Sequence, residues 1–339
     1  MHRKISAAII TLAAAACSPS ASEESVTIYS ARHYDSDNFI YQRFTEETGI
    51  EVNVIEAGGD LLIERIRADG DRSPADVVIT VDASRLHRAE EAGLFARVDY
   101  SDIAAGVPDN FIDPDGYWVG FSLRTRVIAY DRDTVDPDEI NGYLDLADPR
   151  WHGRICIRSS DNAYNQSLLA AIIANHGEQA AEAWARSMVA NFARAPQGGD
   201  TDQLRAIGAG ECDIAVVNHY YYLRLVNSDD AADVELADGI GLVFPAGETG
   251  THVNISGAGI AANAPNPGNA EAFIRFLLSE TGQRAYADLT YEFPAVSGAE
   301  FDNESVRALI GFPADPLNMS ELGENAETAR RIFDRVGWP

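Results

Sequence analysis

Apolar and polar positions follow two rhythms along this chain, one of period two and one of period 3.6. Residues 26–29 (Val-Thr-Ile-Tyr) read as a strand, and across 35–47 the apolar Phe39, Ile40 and Phe44 recur on one face of a helix. Further strands are expected at 51–55 and 75–80, with helices at 61–68 and at 83–92, the latter ending at Gly93. This βαβαβα order predicts a parallel sheet covered by helices. Asp35 and Ser36 are expected to cap the first helix.

The rhythm changes at 117–130, where Tyr117–Phe121 and Arg126–Tyr130 form two extended runs that carry the chain between lobes. Alternation then restarts, with strands at 154–158 and 213–217 and helices at 164–175, 178–192 and 202–208. The run 251–261 is strand-like and returns the chain to the first lobe, and helices at 268–279 and 323–336, stopped by Gly337, complete the fold. A chain of 339 residues suits two domains. The expected class is α/β with two lobes and a cleft. One lobe takes 26–122 with 251–298, and the other takes 123–250 with 299–339.

Residues 1–16 read as an export signal: Arg3 and Lys4 are followed by an apolar run from Ile5 to Ala16. The run Leu12-Ala13-Ala14-Ala15-Ala16-Cys17 resembles a lipoprotein processing site, although Ala14 stands where leucine is commoner. Cys17 is either a lipid anchor or part of a segment lost by ordinary cleavage, and 17–25 would be a tether. Either way the mature protein is expected in the periplasm. Cys156 and Cys212 remain, each beside a β-like run, as a disulfide or as two small buried thiols. The formal charge is −27, which makes nucleic acid an improbable partner and speaks first for solubility. A monomer is expected.

No Gly-x-Ser-x-Gly elbow, phosphate-binding loop or His-Glu-x-x-His helix occurs, so an enzyme has no support in the motifs. Tyrosine stands out instead. Asn218-His219-Tyr220-Tyr221-Tyr222 follows one strand, His33-Tyr34 follows the first, and Tyr164 follows the strand at 154–158. Open α/β sheets bind ligands at such strand ends. A phenol has a pKa near 10, but a hard trivalent cation displaces its proton at neutral pH. Taken singly, each tyrosine reads equally as a half-buried packing residue, and His33 as a ligand or a hydrogen-bonding group. Arg124 and Arg126 either offset phenolate charge, hold an accompanying anion, or form structural ion pairs.

The segments YSARHYDSDNFIYQRFTEETGI (29–50), SPADVVITVDASRLHRAEEAGLF (73–95), IRSSDNAYNQSL (157–168), GECDIAVVNHYYYLRL (210–225) and THVNISGAG (251–259), with FPAV (293–296), resemble the ferric-iron-binding proteins of bacterial ABC importers. The likeness is to their tyrosine-rich branch. It implies a type II periplasmic binding fold with hinge strands and Fe(III) held in the cleft by Tyr34, Tyr164, Tyr220 and Tyr221, with His33 a ligand in some members. Carbonate or citrate would be a possible accompanying anion, and an inner-membrane permease the partner. His219 and Tyr222 depart from relatives, which often carry Thr and a non-aromatic residue there, so the pair also reads as Tyr221 and Tyr222. Rival readings are a binder of an anionic nutrient (phosphonate, sulfate or an organic acid) and a periplasmic hydrolase.

Overall fold

The computed structural model describes residues 25–32 and 34–339. The export segment, Cys17, the tether as far as residue 24, and His33 lie outside the described residues. The chain opens with β1 (Ser25–Ser30), α1 (Asp35–Thr48), β2 (Glu51–Glu56), α2 (Gly59–Asp69), β3 (Val77–Thr80) and α3 (Ala83–Glu91). As the alternation predicts, β1 lies between β2 and β3 and is parallel to both. Its side chains Val26, Ile28 and Tyr29 are fully buried. Tyr34 holds the N-cap position of α1, so Asp35 and Ser36 belong to its first turn and not to its cap.

The expected pair of runs at 117–121 and 126–130 is one strand, β4 (Val119–Asp131). Ser122 to Thr125 look like a polar break in the sequence, yet they are buried or nearly so because their side chains meet other polar groups inside the molecule. The chain continues through β5 (Ile155–Cys156), α4 (Ala163–His176), α5 (Glu178–Asn191), α6 (Asp200–Gly208), β6 (Ile214–Asn218), α7 (His219–Val226), α8 (Ala231–Gly239) and β7 (Ile240–Val243). Then follow β8 (Val253–Ile260), α9 (Pro267–Leu277), α10 (Glu280–Ala285), β9 (Phe293–Pro294), α11 (Glu304–Arg307), α12 (Ser320–Glu324) and α13 (Ala326–Val336).

The sheet is mixed, not parallel throughout, with strand order β2-β1-β3-β8-β4-β6-β5 and with β7 and β9 also paired to β4. β4 joins its two parts. From Val119 to Thr125 it runs antiparallel to β8, and from Arg126 to Tyr130 it is antiparallel to β6, with β7 alongside from Ile128 to Asp131. Gly337 stops α13 in the left-handed conformation (φ 69°), which costs glycine little. Beyond it Trp338 packs against Trp184, Phe192 and Phe333, fastening the chain end to α5.

Cys156 and Cys212 form a disulfide with Cα atoms 5.8 Å apart. Cys156 closes β5 and Cys212 lies just before the parallel neighbour β6. The bridge spans 56 residues of sequence that contain α4, α5 and α6. In the chain-entropy view a closed loop of this size stabilises by about 4 kcal/mol. Replacing both cysteines by alanine should lower the urea-unfolding free energy by about 2–4 kcal/mol, with peptide mapping before reduction showing the two linked. An unchanged unfolding midpoint would show that the bridge contributes nothing.

Candidate functional site

Asn218 ends β6 and His219 begins α7 with no loop between them. Tyr220 and Tyr221 therefore sit in the first turn of a helix, and their spacing is fixed by helical geometry. Tyr164 occupies the first turn of α4, whose cap Asn162 accepts from the amides of Tyr164 and Asn165. Tyr164 Oη is 3.3 Å from Tyr220 Oη, and Asn218 Nδ2 donates to Tyr220 Oη at 3.3 Å. The rings of Tyr220 and Tyr221 are 4.4 Å apart.

Tyr34 reaches the same place from the end of β1. Arg224, one turn further along α7, has its guanidinium 5.0 Å from the ring centroids of Tyr34 and Tyr220 and 5.4 Å from that of Tyr221. Four of the five ligands that the resemblance implies, Tyr34, Tyr164, Tyr220 and Tyr221, thus lie together, and the fifth, His33, is not described. Tyr222 turns away to pack among the apolar residues around Leu223, Phe293 and Phe301. The pair that meets Tyr164 is accordingly Tyr220 and Tyr221.

Arg124 and Arg126 are both buried in ion pairs. Arg126 bonds Asp200 at 2.7 Å, Asn165 at 3.0 Å and the Val216 carbonyl at 2.8 Å. Arg124 donates to the Val81 carbonyl and to Ser256 Oγ, and lies 3.5 Å from Glu292. Their terminal nitrogens are committed to the protein, so what they offer the phenols is positive potential. Together with Arg158 they surround the Tyr164 ring, with guanidinium carbons 6.0, 5.8 and 5.6 Å from its centroid.

Sequence reasoning missed Arg158, Arg224, Arg32 and Glu292. Arg32 grips Asp37 with Nε and Nη2, and its Nη1 donates to Ser256 Oγ at 2.6 Å and to Glu292 at 2.9 Å. It also lies 4.9 Å from the Tyr34 ring. Burial opposes ionisation of Glu292, but Arg32, Arg124 and the Ser122 hydroxyl hold its carboxyl at about 2. Only Arg224, four residues beyond Tyr220, carried a sequence signal, because that spacing puts it on the same helix face.

Tyr34, Tyr220 and Tyr221 hold their protons. Burial, followed by the neighbouring phenols Tyr164, Tyr34 and Tyr221, pushes Tyr220 well above its ordinary value. Tyr34 and Tyr221 are also raised, first by burial and then by Tyr164. Such a cluster accepts negative charge only with a compensating cation in its midst. No group of three or more His, Cys, Asp or Glu side chains suited to a metal occurs among the described residues.

The mixed sheet, the strands passing between its two parts and the ring of inward-facing phenols define a two-lobed solute-binding protein. The chain belongs to the bacterial extracellular solute-binding protein family, whose model matches residues 72–310. It is similar to iron uptake protein A2 of Synechocystis, with 46% identity over 94% of this chain and 91% of that protein. Among solved structures it is similar to the Trichodesmium protein IdiA (FutA) in complex with iron and citrate ligands, with a TM-score of 0.88, 45% identity, and 93% and 100% of the two chains covered. The ferric binding protein of Campylobacter jejuni gives a TM-score of 0.87 at 39% identity, covering 93% of this chain and 100% of the other. Membership makes this a binding protein of the ABC-importer type and not an enzyme.

Two imidazoles give the molecule an acid limit. Burial first of all lowers His219 and His252 to about 3, well below the usual histidine value. The unfolded chain therefore binds more protons than the folded one between about pH 3 and 6.5. Their contribution is complete above pH 6.5 and is lost as pH falls through that window. Between pH 7 and 5 each should remove about 2 kcal/mol of stability, read by urea unfolding of metal-free protein. His252→Gln should flatten the slope, and a slope unaltered by that change would show that His252 is not buried as a neutral base.

Proposed function

We propose that this protein captures Fe(III) between the phenolates of Tyr34, Tyr164, Tyr220 and Tyr221 and delivers it to an ABC permease for uptake. The observation that carries this reading is the meeting of Tyr164, Tyr220, Tyr221 and Tyr34 around one point from three separate elements. Phenols with raised pKa values are poor ligands for a weakly polarising ion, whereas a hard trivalent one displaces their protons and keeps them by charge. Three or four phenolates match or exceed the charge of Fe(III), and Arg124, Arg126 and Arg158 around Tyr164 offset the excess. His33 is a further candidate ligand. Carbonate or citrate would complete the shell, a reading supported by the iron and citrate bound in the similar Trichodesmium protein.

On this reading the lobes are 26–122 with 251–298 and 123–250 with 299–339. Iron docks first on Tyr164, Tyr220 and Tyr221, and hinge bending brings Tyr34 across to close the shell. The protein works as a periplasmic monomer, free or anchored through a lipid on Cys17. The anionic-nutrient alternative needs guanidinium N–H groups open to a ligand; the terminal nitrogens of Arg124 and Arg126 are engaged, and their Nε atoms, like that of Arg158, are unpaired but buried.

Adding ferric citrate to the purified lipid-free protein should produce a saturable visible charge-transfer band at about one iron per chain. Tyr220→Phe and Tyr221→Phe should each abolish or shift the band, while Tyr222→Phe should leave it in place. A band that depends on Tyr222 and not on Tyr220 would move the ligand pair by one residue. Absence of any band would remove tyrosinate ligation of Fe(III).

A further inference from the structure

A cavity of about 190 Å³ lies well away from the phenols, between the C-terminal half of α4, the turn at 141–145, the stretch 247–252 and Asp315. Tyr164 and Asn175, at opposite ends of α4, are separated by eleven residues, or roughly 16 Å of helix. The cavity abuts the strands that join the two parts of the sheet. Tyr143 Oη donates to the Arg126 carbonyl at 2.5 Å and accepts from the His252 amide at 3.0 Å. The Thr251 amide bonds the Pro313 carbonyl at 2.7 Å, and the Asp315 amide bonds the Thr251 carbonyl at 2.9 Å.

Three features give the cavity a chemical preference. Asp315 is 4% exposed, and among the described residues its carboxylate receives only an amide from Leu317 and the side chain of Asn175. Burial is the first influence on its charge and raises its pKa, against the lowering by the Leu317 amide and the Asn175 side chain. A buried carboxylate held only by neutral donors is a costly arrangement that a positive charge relieves. Secondly, the last turn of α4 borders the cavity through Asn175 and His176, which brings the negative end of the helix dipole to the same region. Thirdly, His252 lines the wall as a neutral base whose buried Nε2 has no hydrogen-bond partner among the described residues. The floor beneath these groups is apolar, formed by Leu168, Ala171 and Ile172 of α4.

We propose that this hinge-side cavity is a second ligand site, for a small organic ammonium compound whose positive group pairs with Asp315 and whose hydrocarbon body lies on Leu168, Ala171 and Ile172. The size admits a short aliphatic amine and excludes a peptide or nucleotide. The occupant bridges α4 to the stretch 247–252 and to Asp315, so it stiffens the region that bends when the clamp moves. The site uses none of the phenols and stands independently of the iron reading.

The test uses metal-free full-length mature protein, with n-butylamine, 1-butanol and butyrate as probes of one shape and three charges. Calorimetry should show n-butylamine binding at one per chain with Kd on the order of 0.1–1 mM, and 1-butanol and butyrate at least about tenfold weaker. Asp315→Asn keeps the shape and the bond from the Leu317 amide, with the Asn175 amide turned over so that its oxygen accepts from the new Nδ2, and should weaken the amine at least about tenfold with the far-ultraviolet spectrum and the ferric charge-transfer titration unchanged. Ala171→Leu fills the floor and should abolish binding of the amine. Equal binding of the amine and the alcohol would overturn the ammonium assignment. Equal amine binding by the parent and both variants would trace it to the acidic surface and overturn the site, as would absence of binding.

Discussion

Arg32 and Arg124 share one buried carboxylate, Glu292, and around this triad the ends of several separate elements are held in register. Arg32 follows β1 and fixes Asp37 in α1, Arg124 is in β4, and both reach Ser256 in β8. Glu292 Oε2 also accepts from Ser122 at 2.6 Å. Each group is almost wholly withdrawn from water. Two charges alone would not recover the cost of that withdrawal, but a hydrogen-bonded set that satisfies most of its donors does, and losing one member typically costs about 3–5 kcal/mol. The cluster thus fixes where β1 ends, and with it where Tyr34 stands relative to the crossing strand.

The field around the phenols differs from that of the molecule as a whole. The chain carries 53 acidic and 26 basic residues, a balance that draws cations towards it from a distance. Close to the phenols the side chains are mostly arginines: Arg32, Arg124, Arg126, Arg158 and Arg224 all lie within 6.0 Å of a ring of the cluster. An acidic exterior and a basic lining are compatible because several of the inner cations are neutralised by Asp37, Asp200 and Glu292 on the side facing the core. What remains at the phenols is a modest positive potential, enough to accommodate developing phenolates without itself expelling a trivalent cation.

The iron titration described above tests a reading whose essentials were legible in the sequence. The first three strands and their helices, α4, α5 and the strand before Tyr220 all followed from periodicity, because each has an apolar stripe facing a layer above or below it. The positions of Tyr34, Tyr164, Tyr220 and Tyr221 at element starts were legible for the same reason. The antiparallel insertion of β8 beside β3 was not, since strand direction in a sheet is set by a partner some 180 residues away in sequence. The continuity of β4 through Ser122–Thr125 was hidden because the polar groups there are paired internally with residues as remote as Glu292 and His219. Short β7 and β9 owe their pairing to β4 more than to any pattern of their own.

His219 explains why the tyrosine helix and the crossing strand act as one unit. Its Nδ1 receives the Thr125 amide at 3.3 Å, which makes Nδ1 the acceptor and leaves Nε2–H to donate to the Tyr291 carbonyl at 2.9 Å. Only the neutral ring with this tautomer satisfies both bonds. Its face stacks on Phe293 with centroids 4.0 Å apart and planes within 4°, so the ring has no freedom to turn. Tyr291 is held at φ 61°, a left-handed conformation that costs a bulky residue of order 1 kcal/mol or more and persists because the carbonyl it directs has a fixed partner. The next residue is Glu292, the carboxylate on which Arg32 and Arg124 converge. One imidazole therefore couples the first turn of α7, the middle of β4 and the loop that supplies the central charge, and holds Tyr220 and Tyr221 in fixed register with the crossing strand.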